Sequence, residues 1–78
     1  MPKVLRIDGY RFFFYSDERQ EPPHVHVEKG DAVAKVWLQP VRLASAAGFN
    51  PGELKRTREL AFEYQVEFVE RWNAHFDN

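Results

Sequence analysis

The sequence predicts an α+β domain, and three observations carry that prediction. Strand-like alternation fills the first half of the chain, an Asp-Gly pair and further turn signals divide it, and helical spacing takes over after residue 50. The expected architecture is an antiparallel sheet of four to five strands within residues 3–43, with one long amphipathic helix over about 51–75 packed on one face. Seventy-eight residues make a single domain, 1–78.

Lys3-Val4-Leu5-Arg6-Ile7 and Tyr10-Arg11-Phe12-Phe13-Phe14-Tyr15 flank Asp8-Gly9. Asp-Gly between two strand-like runs marks a two-residue hairpin turn, because both central positions need positive φ. Pairing across that turn sets Ile7 against Tyr10, Arg6 against Arg11, Leu5 against Phe12 and Val4 against Phe13. Leu5, Ile7, Tyr10, Phe12 and Phe14 then share one face, and Val4, Arg6, Arg11, Phe13 and Tyr15 the other. Ser16 to Glu21 reads as a polar, solvated connection. Pro22 and Pro23 hold the chain extended and lead into His24-Val25-His26-Val27-Glu28, whose strict alternation is that of a half-buried strand. His24, His26 and Glu28 are thus expected to point away from the core.

Lys29-Gly30-Asp31 turns the chain into Ala32 to Leu38. Whichever two of those three residues form the turn, Val25 and Val27 share a face with Ala34 and Val36, and the histidines with Val33, Lys35 and Trp37. Pro40 ends that strand, Val41-Arg42-Leu43 is a short fifth one, and Ala44 to Gly48 reads as a loop. Asn50 suits a helix N-cap, Pro51 the first helical position, and Glu53 the return half of a capping box. Leu54, Ala61, Tyr64, Phe68, Trp72 and Phe76 recur at helical spacing, and Phe62, Val66 and Val69 widen the stripe.

Seven Phe, three Tyr and two Trp concentrate apolar area in a chain short enough to bury only ~60% of its unfolded surface. The absence of cysteine excludes disulfides and thiolate metal sites and agrees with a cytoplasmic location. No apolar run approaches the ~20 residues of a membrane span, and the opening Met1-Pro2-Lys3 lacks a signal-peptide pattern. A net charge of −1 gives no global pull toward nucleic acid or membrane.

The opening Arg6 to Ser16, the Pro22-Pro23-His24-Val25-His26-Val27-Glu28 run and the late Glu70-Arg71-Trp72-Asn73 together resemble a small bacterial family catalogued as domain of unknown function 4160. The resemblance covers nearly the whole chain. It implies a bacterial cytoplasmic protein, often encoded beside a second small domain of unknown function (numbered 2442) in a toxin–antitoxin-like arrangement. It implies no established activity, cofactor or catalytic residue.

Four constellations carry chemistry. His24 and His26, at i and i+2 of one strand, project in parallel and could converge on a divalent transition metal, with Glu28 a third ligand if the strand twists helpfully. The same three residues are the catalytic candidates, since imidazole serves as a general acid or base and nearby cations could hold a phosphate. Arg6, Arg11, Phe13, Tyr15, Lys35 and Trp37 place cations among rings on the sheet face that a single helix leaves uncovered. That mixture suits a protein partner or single-stranded nucleic acid. Lys55, Arg56 and Arg58 crowd the helix start, as an anion site or as a solvated face. The reading taken from the sequence is an interaction module using its open sheet face, with a homo-oligomer or a small cognate protein as partner. A metal- or histidine-dependent nuclease-like enzyme and a non-catalytic nucleic-acid-binding module are the alternatives.

Overall fold

A computed structural model describes residues 3–15, 18 and 20–76. Five strands, β1 (Lys3–Ile7), β2 (Tyr10–Phe13), β3 (His24–Lys29), β4 (Ala32–Leu38) and β5 (Val41–Ala47), form one antiparallel sheet in chain order. Two helices, α1 (Pro51–Glu63) and α2 (Gln65–Phe76), follow and cover one face. The α+β expectation holds. None of these helices is long and apolar enough to cross a membrane.

The turns obey local chemistry. Asp8 and Gly9 take φ of 53° and 82° between the paired Ile7 and Tyr10, as the Asp-Gly signal requires. Gly30-Asp31 joins Lys29 to Ala32, and Gln39-Pro40, with a cis bond, joins Leu38 to Val41. At the start of α1, Asn50 Oδ1 accepts from the Glu53 N–H at 2.8 Å while Glu53 Oε1 accepts from the Asn50 N–H at 3.0 Å. Both halves of the capping box are therefore present. Replacing Asn50 with Ala is expected to cost about 1 kcal/mol, read as a fall of roughly 4–8 °C in Tm by circular dichroism.

Packing follows the alternation. Tyr10, Phe12 and Phe14 from the first hairpin, Val25 and Val27 from β3, and Ala34, Val36 and Leu38 from β4 meet Leu60, Ala61, Phe68 and Trp72 from the helices. The Phe12 and Phe68 rings lie 5.2 Å apart at the centre, both without exposed surface.

Four expectations need correction. Lys3, not Val4, pairs with Phe13, because Val4 is an extra residue in β1. Ala44 to Ala47, read as loop, continue β5, with Ala44 the extra residue of a second bulge. Those residues lack the branched or aromatic side chains that mark strands, and pairing with β4 overrides the weak local preference.

The single helix is divided at Tyr64, whose φ of −105° and ψ of 17° leave the helical region. The Gln65 side-chain amide donates to the Leu38 carbonyl and pins the start of α2 to the end of β4. Fourth, Phe62 and Val66 do not widen the buried stripe: they are 71% and 70% exposed. Thr57 and Leu60 take up the buried face instead, and Arg58 lies exposed outside it.

Candidate functional site

Alternation puts Arg11, Phe13, His26, Glu28, Lys35 and Trp37 on the face away from the helices, the face-sharing expected. The middle of that face is not bare. Phe13 is only 2% exposed, with the Arg11 guanidinium 4.5 Å from its ring centre and the rings of Tyr15 and His26 at 5.4 and 5.6 Å. Neighbouring side chains thus shelter it, which corrects the expectation of an exposed aromatic. Lys35 and Trp37 are half-buried, the Lys35 ammonium standing 4.6 Å over the Trp37 ring. Arg6 is exposed, as is Tyr15.

Of the connection between β2 and β3, expected to be solvated, Glu18 and Glu21 reach back onto this face. A Glu21 N–H to Glu18 carbonyl bond of 3.1 Å forms its turn, and the Glu21 carboxylate accepts from Lys35 at 2.5 Å. The Glu18 carboxylate, 15% exposed, reaches both histidines. His24 Nε2 lies 3.0 Å from Glu18 Oε1, and His26 Nε2 lies 2.9 Å from each Glu18 oxygen. Ser16, where the sequence reading begins this connection, lies outside the described residues.

His24 is not the surface histidine that alternation alone implies. It has no exposed area, and its ring stands 4.9 Å from Trp72 of α2, 5.5 Å from Trp37 and 5.2 Å from His26. Its Nδ1 is 2.9 Å from the Pro22 carbonyl. A carbonyl only accepts, so Nδ1 carries the proton and donates it. The second nitrogen, Nε2, is thereby directed at Glu18. Two imidazole nitrogens facing one carboxylate need either protons or a cation between them.

Glu18 titrates below the ordinary carboxylate range. Burial pushes its pKa up, but hydrogen bonds from His26 and His24, a bond from the Tyr15 N–H and the charge of His24 together outweigh it. A depressed native pKa contributes stability above the unfolded value, and that contribution is lost as pH falls through the lower native one. Wild type should accordingly lose stability on acidification below the normal carboxylate range. Glu18→Gln should lose less over the same window, as seen in denaturation midpoints against pH.

Glu28, proposed as a third ligand, is engaged elsewhere. It sits opposite Arg11 on β2 and pairs with that guanidinium at 2.9 Å. Residues two apart on a strand stand about 7 Å apart, so Glu28 lies too far along to join both histidines. The carboxylate that stands beside both histidines is Glu18, which sequence reasoning missed. Among the described residues, Glu18, His24 and His26 are the group whose ligand atoms all fall within 4.8 Å of one another. The cationic trio at the helix start is split. Arg56 reaches Asp8 in the first turn at 2.5 Å, which raises its pKa, while Lys55 and Arg58 are exposed.

The molecule is thus a five-stranded meander backed by a broken helix, with a partly buried two-histidine, one-carboxylate cluster at the start of β3. A family model described as Domain of unknown function (DUF4160) matches residues 9–73, a span that takes in the whole cluster. The chain belongs to that family. No curated protein and no solved structure matches it.

Proposed function

We propose that the chain is a small metal-dependent enzyme of nuclease-like type, with Glu18, His24 and His26 as its metal ligands. One observation carries this reading: the His24 Nδ1 donates to the Pro22 carbonyl, which fixes the tautomer that presents Nε2 to an ion. Two imidazoles and one carboxylate are a common donor set for catalytic zinc and for non-haem iron, and leave positions open for water and substrate. Tetrahedral ligands at about 2.1 Å from an ion would stand roughly 3.4 Å apart; the Glu18–histidine contacts of 2.9–3.0 Å would open slightly, and all three ligand atoms already lie within 4.8 Å of one another. The Glu21 carboxylate beside Lys35 offsets the cation that would otherwise oppose an ion.

Around the cluster lie groups suited to a phosphodiester. Tyr15, 40% exposed, has its ring 4.8 Å from His26 and can stack a base. Lys35 faces His26 across the strands, and Arg11 lies one strand away over Phe13. A bacterial, cytoplasmic setting belongs to the same proposal, supported by the family resemblance and the cysteine-free composition.

Protein purified without an affinity tag tests it. Titration with Zn²⁺, Mn²⁺, Ni²⁺ and Fe²⁺ should show one ion per chain, and single-stranded RNA should be cut in a chelator-sensitive way. No stoichiometric ion, or no cleavage above a His26→Ala control, rejects the enzyme.

A second reading, contact with a protein partner through the outer face, is favoured by Tyr15 and Val33, 40% and 45% exposed on that face. A second copy, or a small cognate protein in a toxin–antitoxin-like pair, would cover them. Light scattering on Tyr15→Ser/Val33→Ser should then show a smaller mass than wild type. Equal masses, alone and with the partner, remove this reading.

A further inference from the structure

The helix pair exposes an apolar ridge. Phe62 and Val66, one turn apart, are 71% and 70% exposed, and Val69 continues the line toward the core. Both residues are large for such exposure, and neither belongs to the site described above. Hollows lie on both sides of Val66. One is bounded by Glu63, Tyr64, Glu67, Glu70, Arg71 and Ala74, with about 750 Å3 of open space. The other, of about 280 Å3, lies among Gln39, Gln65, Val69 and Glu70.

Charge decides what fits there. The hollow beside Val66 is lined by three acids, Glu63, Glu67 and Glu70, against one fixed cation, Arg71, while Arg58 stands exposed one turn before Phe62. Arg71 is itself paired with Glu67 at 3.2 Å. A twofold contact centred on this hollow would set its acids against their own image, which like charges oppose. A basic partner gains on both counts.

We infer that the Phe62–Val66 ridge is a docking site for a basic amphipathic helix of another protein. Its apolar side would straddle Phe62 and Val66, and its Lys or Arg side chains would meet Glu63, Glu67 and Glu70. Two apolar anchors one turn apart beside hollows suit the ridge-into-groove packing of helices. The break at Tyr64 sits between the anchors.

A synthetic amphipathic peptide built of Leu and Lys is the probe, with a Leu and Glu peptide of equal length as control. Amide shifts of the full chain should change over residues 59–70 with the basic peptide and not with the acidic one. Phe62→Ser/Val66→Ser should weaken binding about tenfold or more, the loss typical of central anchors. Both positions are mostly exposed, so the variant should fold; a wild-type circular dichroism spectrum confirms that. Glu63→Gln/Glu67→Gln/Glu70→Gln should weaken binding and flatten its salt dependence. Equal binding by the Phe62→Ser/Val66→Ser chain, or shifts confined to other residues, would overturn the inference. So would a wild-type dimer that dissociates in that variant, since the occupant would then be a second copy.

Discussion

Exchange of Glu18 for Gln is expected to weaken divalent-metal binding by about a hundredfold or more, since altering even a group behind a ligand costs 10–100-fold. Gln keeps the size and reach of Glu but brings no charge, so an ion held by two neutral imidazoles loses its only anionic ligand. The change should leave the sheet intact, because Glu18 lies on the connection between β2 and β3 and enters none of the ladders. Calorimetric titration at neutral pH measures it, with circular dichroism as the control for folding. Wild-type affinity should also fall as pH falls. Nε2 of His24 and of His26 must both be bare to bind an ion, so uptake releases protons. A Gln variant that binds as tightly as wild type would place the ion elsewhere.

Phe68→Ala is expected to destabilise the chain by about 3–5 kcal/mol, the range for emptying a buried aromatic site. Phe68 has no exposed surface, and its ring meets Phe12 at 5.2 Å and Tyr64 at 6.1 Å, so one deletion strips contacts from the sheet and from the break between the helices. Domains of this kind hold roughly 0.05–0.15 kcal/mol per residue, so the loss takes a large share of the whole. Tm should drop by roughly 20 °C or more, or the cooperative transition should vanish. Phe62→Ala is the internal comparison. It removes the same ring from a position 71% exposed and should shift stability by no more than about 0.5 kcal/mol. Equal losses for the two would mean that α1 presents a different side to the sheet.

The contrast between Phe62 and Phe68 marks the limit of what periodicity could say. Fold class, the Asp8-Gly9 turn and the shared faces of residues 24 to 38 followed from alternation and turn chemistry, which are local. A stripe nine residues broad in the alphabet of helical spacing has more apolar positions than one sheet face can accept. Which of them stay outside depends on how α1 and α2 are set on the sheet, and the Gln65–Leu38 bond that helps set them joins positions 27 apart. The fifth strand was half legible, since Ala44 to Ala47 owe their conformation to β4 and not to their own side chains.

The candidate site divides the same way. His24 and His26 stood out because their spacing places both on one strand. Glu18 did not, because nothing in a polar stretch distinguishes it from Asp17 or Glu21. One signal was available: β2 and β3 are neighbours, so their connection must return past the first residue of β3, which is His24. That constrains an acid to arrive without saying which. The burial of His24 was illegible for another reason, since Trp72 approaches it from a helix 48 positions away.

Both outermost strands carry a one-residue irregularity, Val4 in β1 and Ala44 in β5, while the ladders of β2 with β3 and of β3 with β4 run without a break. An interrupted hem cannot match donors and acceptors evenly with a foreign ribbon. Irregular selvedges of this kind oppose endless side-by-side stacking of copies.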